Sequence, residues 1–190
     1  IPRLGFINLH PSLLPFYRGM SPQHWPIING EVETGLSVHY VDDGIDTGAI
    51  IVQERIQLTP DMYVSDLQKL WLEKYPSIMI DAIERLLRGE KIVKQNDLNG
   101  SFYGRLKNEQ CKIKLEMSIA EAYNLVRGVS FPYCGASYEN VIIYRVHVNK
   151  DETLMSTYIN MDNGLYEDVK VGMILKLYDG ILILDKYKKK

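Results

Sequence analysis

The stretch INLHPSLLPFYRG, residues 7–19, marks the end of the first predicted strand and the start of a loop. The apolar run at residues 3–10 predicts a buried strand, and Pro11 and Pro15 then punctuate the loop. Side chains two apart on a strand share a face, so Asn8 and His10 are expected to face one site. Ligands of open α/β sheets bind beyond the carboxyl ends of strands, so the stretch predicts an α/β fold with a small-molecule site.

The two polar residues of this strand carry complementary chemistry. An imidazole near its ordinary pKa of about 6.5 can accept a proton at neutral pH, and an Asn amide can donate to a developing oxyanion. A carboxylate would complete the set, and the turn DDGIDTG offers Asp42, Asp43 and Asp46. A structural interpretation stays open, because His in a proline-bounded loop and Asp in a DG turn often serve only local hydrogen bonding.

Further elements are predicted along the first half of the chain. A short helix is expected from Ser21, as its N-cap, to Gly30, followed by strands at residues 34–42 and 49–58. An apolar stripe over residues 61–88 predicts one helix or a helix pair, since Pro76 should kink or split it.

The character of the sequence changes near residue 100. The polar, turn-rich segment KQNDLNGS, residues 94–101, predicts a boundary between domains at residues 1–95 and 101–190. Ser118 with Glu121 three residues on forms a capping box that opens a short helix. The remaining short strands with DG and NG turns predict a small, β-rich second domain.

Composition excludes several classes of protein. The formal net charge is −2: residues 1–100 hold 9 basic and 13 acidic residues (−4), and residues 101–190 hold 13 basic and 11 acidic residues (+2). Such a balance is not typical of a strong nucleic-acid binder. No apolar run approaches the ~20 residues that span a bilayer. The two cysteines predict buried thiols of a reducing compartment, so a cytoplasmic protein without a metal site is expected.

A longer pattern resembles a known family. Asn-x-His-Pro-Ser-Leu-Leu-Pro, followed 36 residues after His10 by Asp46 in DDGIDTG, resembles the formyltransferases that use 10-formyltetrahydrofolate. The resemblance is strong over residues 7–54. Residues 117–138, which contain AYNLVRGVSFPYCGASY, resemble the start of the small C-terminal domain of methionyl-tRNA and amino-sugar formyltransferases. Together the two resemblances imply the C-terminal part of a Rossmann-like catalytic domain at residues 1–95, followed by a small OB-like domain at residues 101–190.

The resemblance also implies roles for individual residues. Asn8 would stabilise the oxyanion, His10 would assist proton removal from the attacking amine, and Asp46 would position the His and help to carry the proton. The folate donor would be lined by two segments, which are Ser12, Leu13, Leu14 and Pro15 in the first and Asp42, Asp43 and Gly44 in the second. No metal is needed.

The acceptor amine is left open by the signature. The charge balance and the flanks SPQHWPIINGE and GLSVHYVDDGIDTG favour a nucleotide-linked amino sugar over methionyl-tRNA. Formyltetrahydrofolate hydrolysis and a non-catalytic folate- or nucleotide-binding relic are further alternatives. Trp25 and His39 are expected to be packing residues rather than pocket residues, and Arg18 either meets a phosphate or braces the loop.

Members of this family carry about 90 residues ahead of the signature, which supply the first strands of the sheet. The chain as given is therefore expected to lack catalysis alone, and to need that N-terminal half or a homo-oligomeric partner.

Overall fold

The computed structural model describes residues 5–96 and 99–190. The chain is mixed α/β and divides into two compact units. The first contains the residues up to Pro26 together with Glu31–Leu106, and the second contains Ile27–Gly30 and Lys107–Lys190. The predicted boundary segment, residues 94–101, falls within the first unit, and its residues 97 and 98 lie outside the described residues.

The first unit is built on a three-stranded antiparallel sheet in the order β1-β3-β4. Its helices and strands, in chain order, are β1 (Ile7–His10), β2 (Arg18–Gly19), α1 (Trp25–Ile28), β3 (Glu33–Tyr40), β4 (Ile50–Gln57), α2 (Val64–Leu87) and β5 (Phe102–Tyr103). The last two residues of α1 fall in the second unit. Strands β2 and β5 form a short parallel pair, which draws the predicted boundary region into this unit.

Of the two helices of the first unit, α1 differs from its prediction and α2 takes one of the two forms predicted for it. Helix α1 is only four residues long, and Ser21 does not cap it, because Ser21 has φ of +64° and its hydroxyl accepts from the backbone N–H of Leu106. Helix α2 continues through Pro76, so of the two predicted alternatives, one helix or a helix pair, the structure has the single helix. Pro76 is exposed and therefore disturbs the solvent face of α2, while its buried residues face the core: Val64, Leu67, Trp71, Ile78 and Ala82.

The second unit is dominated by a five-stranded antiparallel sheet in the order β6-β7-β10-β9-β8. Its elements are α3 (Ile119–Val129), β6 (Ala136–Tyr138), β7 (Val141–Val148), α4 (Glu152–Tyr158), β8 (Gly164–Asp168), β9 (Gly172–Leu177) and β10 (Gly180–Lys189). The predicted capping box is confirmed, since Ser118 Oγ accepts from the Glu121 N–H and the Glu121 carboxylate accepts from the Ser118 N–H.

Candidate active site

Strand pairing brings the signature residues to one face of the sheet. In the β1–β3 register, Asn8 lies opposite His39 and His10 lies opposite Ser37. Directly opposed residues of an antiparallel pair share a face, so Asn8, His10 and His39 project together. Asp46 lies in the loop between β3 and β4 and reaches the same place.

His10 is buried at the end of β1, with 4% of its surface exposed. Its Nε2 lies 2.8 Å from the carbonyl oxygen of Tyr17, and its Nδ1 lies 3.5 Å from Asp46 Oδ2. A carbonyl can only accept, so it holds the proton of the neutral ring on Nε2 and leaves the Nδ1 lone pair beside the carboxylate. Burial lowers the pKa of His10, although the Tyr17 carbonyl and the Asp46 charge oppose that effect.

Asp46 is the carboxylate of the site, and its backbone has φ of +55°. Its Oδ2 accepts a hydrogen bond from the Gly19 N–H at 2.8 Å, and its Oδ1 lies 3.5 Å from His39 Nε2. Burial raises the pKa of Asp46, but the neighbouring His39, the hydrogen bond from the Gly19 N–H and the nearby His10 together outweigh burial and lower the pKa overall. The group is therefore held in its ionised form.

His39 belongs to this cluster, and the prediction that it is a packing residue missed its contacts. Its Nδ1 lies 2.7 Å from the carbonyl oxygen of Tyr40, which places the ring proton on Nδ1. The Nε2 lone pair can then accept from the Asn8 amide, whose Nδ2 is 3.3 Å away. This contact orients the Asn8 amide and leaves its second N–H for another acceptor. The signal in the sequence was an imidazole inside the otherwise apolar strand GLSVHYV.

The proline loop after β1 is largely committed to its own structure. The Ser12 hydroxyl donates to the Phe16 carbonyl, and the buried Leu14 donates its N–H to Ser37 Oγ. The Leu14–Pro15 peptide bond is cis. Leu13 is half-buried and lines a cavity of about 220 Å³ together with Phe16, Tyr17, Glu31, Glu33 and Thr34. Of the predicted folate residues in this loop, Ser12 and Leu14 therefore present little side-chain surface to a ligand.

The other predicted folate segment is exposed at the surface of the Asp46 loop. The Asp42 carboxylate accepts from the Gly44 N–H at 3.1 Å and from the Thr47 hydroxyl at 2.6 Å, which is local turn chemistry. Asp43 and Gly44 are exposed beside it. The Asp42–Thr47 hydrogen bond spans Asp46 and so holds this segment beside it.

The structure agrees with the packing predicted for Trp25 but not with the burial predicted for both cysteines. Trp25 is buried and packs on Tyr103 with ring centroids 4.9 Å apart. Cys111 is buried as predicted, but Cys134 is exposed, so the prediction of a buried thiol is wrong for Cys134.

The described residues contain neither a metal-binding cluster nor a membrane-spanning helix. Across residues 5–96 and 99–190, no group of three or more His, Cys, Asp or Glu side chains is placed to hold a metal ion. Over the same residues, no helix has the length and apolar character to cross a membrane.

Comparison with known proteins places this geometry in context. Residues 1–83 match a family model described as "Formyl transferase". The chain is 32% identical over 191 residues to the methionyl-tRNA formyltransferase of Clostridium beijerinckii, and the match covers 98% of this chain and 60% of that protein. The chain thus spans somewhat more than half the length of such relatives.

Solved structures show the same similarity in three dimensions. An N-formyltransferase from Helicobacter canadensis, in complex with folinic acid and dTDP-3-aminofucose, matches with a TM-score of 0.77 at 24% identity, over 96% of this chain and 66% of that one. The sugar 3N-formyltransferase WlaRD, in the presence of dTDP and 5-N-formyl-THF, matches with a TM-score of 0.77 at 26% identity, over 97% and 66%.

Proposed function

We propose that this chain is a member of the formyl transferase family and carries the site at which the complete protein transfers a formyl group from 10-formyltetrahydrofolate to a primary amine. One observation carries the proposal, which is that Asn8, His10 and Asp46 converge at the end of β1. Asp46 lies within ion-pair distance of both His10 and His39, and Asn8 lies within hydrogen-bond distance of His39. An oxyanion donor, a proton acceptor and a carboxylate are the groups that acyl transfer to an amine requires.

Formyl transfer forms one C–N bond, to the acceptor amine, and breaks another, to the folate nitrogen. The donor supplies an activated formyl carbon, the acceptor amine forms the new C–N bond to it, and the folate nitrogen leaves with a proton. In this scheme Asn8 uses one amide N–H on His39 and directs the other at the formyl oxygen as negative charge develops. His39 thereby acts as a positioning residue for Asn8.

His10 handles the proton through its Nδ1 atom. The Tyr17 carbonyl occupies the Nε2–H, so Nδ1 takes the proton of the attacking amine. The imidazolium that forms lies beside the ionised Asp46, 3.5 Å from its Oδ2, which stabilises the positive charge. His10, with Asp46 next to it, then returns the proton to the departing folate nitrogen.

The donor would lie against the two segments named from the signature. Leu13 and Pro15 can offer partly exposed apolar surface, whereas Ser12 and Leu14 act by shaping the loop from within. Asp42, Asp43 and Gly44 form the exposed rim beside Asp46. These residues suit a ligand with one flat apolar part and one polar edge.

We further propose a nucleotide-linked amino sugar as the acceptor. The likeness to WlaRD, at 26% identity over 97% of this chain, supports it. The mild charge supports it as well, because residues 101–190 sum to only +2 and a tRNA acceptor requires many phosphate contacts. Methionyl-tRNA is the second candidate, favoured by the 32% identity to the Clostridium beijerinckii enzyme.

We also propose a fold for each domain and a cellular location for the protein. The first unit, which extends to Leu106, would form the C-terminal part of a Rossmann-like domain, and Lys107–Lys190 an OB-like domain; the TM-score of 0.77 with a sugar formyltransferase supports a formyltransferase fold. Two free cysteines suit a reducing compartment, so the cytoplasm is proposed as the location.

The test is an acceptor panel with the complete protein. Each reaction contains the protein, 10-formyltetrahydrofolate and one acceptor, which is a nucleotide-linked 3-amino or 4-amino sugar or methionyl-tRNA; a further reaction contains buffer in place of the acceptor. Product masses are measured by mass spectrometry. Addition of one formyl group to a sugar supports the proposal. If only methionyl-tRNA is formylated, the acceptor is tRNA and not a sugar. Hydrolysis of 10-formyltetrahydrofolate in buffer alone would indicate a hydrolase.

Two substitutions tie the activity to the site. His10→Ala is expected to lower kcat at least ~100-fold, as loss of a general base does. Asn8→Ala is expected to lower kcat by about 100- to 1,000-fold, as loss of one oxyanion donor does. Steady-state kinetics at neutral pH measure both. Glu73→Gln, at an exposed position of α2, serves as the control, and wild-type turnover by His10→Ala would contradict the mechanism.

A further inference from the structure

A polar bridge outside the signature holds the loop that carries Asp46. The Gln95 side-chain amide donates through Nε2 to the carbonyl oxygens of Asp46, at 2.9 Å, and Gly48, at 2.7 Å. Its Oε1 accepts from Arg18 Nε at 3.1 Å and from Nη2 at 2.6 Å. All four contacts agree on one orientation of the amide, since guanidinium can only donate and carbonyls can only accept.

Both ends of this bridge are fixed by the fold. Arg18 is 8% exposed, and its backbone N–H donates to the Ser101 carbonyl in the β2–β5 region. The segment before Gln95 is anchored to β4, because Val93 and Ile50 exchange both backbone hydrogen bonds. Gln95 therefore approaches the Asp46 loop from a pinned backbone and is supported from behind by a buried cation.

The loop needs such support, because Asp46 lies in the left-handed region, with φ of +55°, which is unfavourable for a residue with a Cβ. Its carbonyl is held by Gln95, and its carboxylate is held by the N–H of Gly19, which adjoins Arg18 in β2. Strand β2 thus holds Asp46 in two ways. The Arg18 side chain acts through Gln95 on the Asp46 carbonyl, and the Gly19 backbone N–H binds the Asp46 carboxylate.

We propose that Gln95, backed by Arg18, is a positioning residue that sets the backbone of Asp46 and so keeps its carboxylate against His10 and His39. Gln95 lies beyond residues 1–83, the part of the chain that matches the formyl transferase family model. This assignment rests on the proposed function only for its kinetic consequence. The effect on the titration of His10 requires no substrate.

The variant that tests the bridge is Gln95→Met, which keeps the length of the side chain and removes its donors and acceptor. The imidazole signals of His10 are followed by NMR through a pH titration of the full chain. Asp46 and His39 are the titratable groups that act on His10, and the Asp46 charge raises the pKa of His10. Displacement of that carboxylate is therefore expected to lower the pKa of His10 below its value in the unmodified protein.

Kinetics of the complete protein give the second readout. Gln95→Met is expected to lower kcat about 10-fold or more, with a much smaller change in KM, because the lost alignment matters most when charge develops. The acid limb of the pH–rate profile should move to lower pH with the pKa of His10. Arg18→Met combined with Gln95→Met should add little to Gln95→Met alone, because Arg18 acts through Gln95.

Gln57→Met, at an exposed position of β4, should leave both readouts unchanged. A folded Gln95→Met with the unmodified pKa of His10, or an equal shift in Gln57→Met, overturns the proposal. If Gln95→Met does not fold, Gln95→Asn, which is too short to bridge both partners, must show the same direction of shift, and a wild-type titration there overturns it.

Failure of this inference is distinguishable from failure of the proposed function. If no acceptor is formylated but the titration of His10 moves in Gln95→Met, the positioning role stands and the function falls. If the complete protein formylates an acceptor and Gln95→Met leaves both rate and titration unchanged, the positioning role falls and the function stands.

Discussion

His10 illustrates how burial would prepare a side chain for the proposed proton transfer. Only 4% of its surface is exposed, and burial lowers its pKa, so the ring is neutral and able to accept a proton at neutral pH. The two carbonyls of Tyr17 and Tyr40 then decide which nitrogen of each histidine carries the proton. The tautomer of each ring is thus set by a backbone group, whereas the pKa of His10 depends also on burial and on the Asp46 side chain.

The pH dependence of activity follows from this environment. As pH falls through the lowered pKa of His10, the ring is protonated and can no longer act as the proposed base, so the acid limb of kcat/KM should lie below the ordinary histidine value of about 6.5. Asp46→Asn removes a charge that raises this pKa, so the acid limb should move lower still while the maximum rate falls. An acid limb above about 6.5 in the unmodified protein would contradict the assignment.

At the scale of elements, the β3–β4 connection depends on a close approach of backbone to backbone. A Cβ added at Gly48 would lie 1.8 Å from the Tyr40 carbonyl oxygen, at the end of β3. The connection cannot accept a side chain there without moving the loop that carries Asp46.

Gly48→Ala is therefore expected to destabilise the first unit by about 1–3 kcal/mol and to reduce formyl transfer. Chemical denaturation and the acceptor assay measure the two effects. Gly104→Ala is the matched control, because an added Cβ there has no neighbour within 4 Å. Equal stability of the two variants would show that the loop yields to the added methyl group.

Helix α2 tolerates an interior proline at an exposed position. Pro76 removes one backbone donor from the helix, and a proline in a helix interior costs roughly 3 kcal/mol relative to alanine. Pro76→Ala should therefore raise the free energy of unfolding by about 1–3 kcal/mol, measured by thermal or urea denaturation. Glu73→Ala, on the exposed face of the same helix, should change it by less than about 0.5 kcal/mol. A destabilised Pro76→Ala would mean that the proline has a packing role.

At the scale of the whole molecule, each compact unit has its own sheet and its own chemistry. The four site residues and the Gln95 bridge all belong to the first unit, whereas both cysteines belong to the second. Cys111 and Cys134 lie with their sulfur atoms 3.5 Å apart, one buried and one exposed. Thiol chemistry can therefore report on the second unit without touching the site.

The two thiols should differ sharply in reactivity. Burial, aided by the hydrogen bond with Cys134, raises the pKa of Cys111 to about 12. Since the thiolate is the nucleophile, iodoacetamide at mildly alkaline pH should modify Cys134 first and leave Cys111 unmodified until the second unit unfolds. Peptide mass spectrometry after a timed reaction measures this. Cys134→Ser should react only after denaturation, and rapid labelling of Cys111 in that folded variant would contradict the burial.

The sequence by itself determined the local features of this protein. The signature places Asn8 and His10 on one face through the period of a strand, and the capping box at Ser118 depends on a residue only three positions away. Turn chemistry likewise predicted the Asp42 loop. Such features are decided by neighbours along the chain, so composition and spacing are sufficient to find them.

Only the tertiary structure decided the rest. His39 joins Asn8 across 31 residues through strand register, and Gln95 reaches the Asp46 backbone across 49 residues. The continuity of α2 through Pro76 and the exposure of Cys134 also depend on which face is buried. Burial, tautomers and long-range hydrogen bonds arise from groups distant in sequence, and local propensity carries no record of those partners.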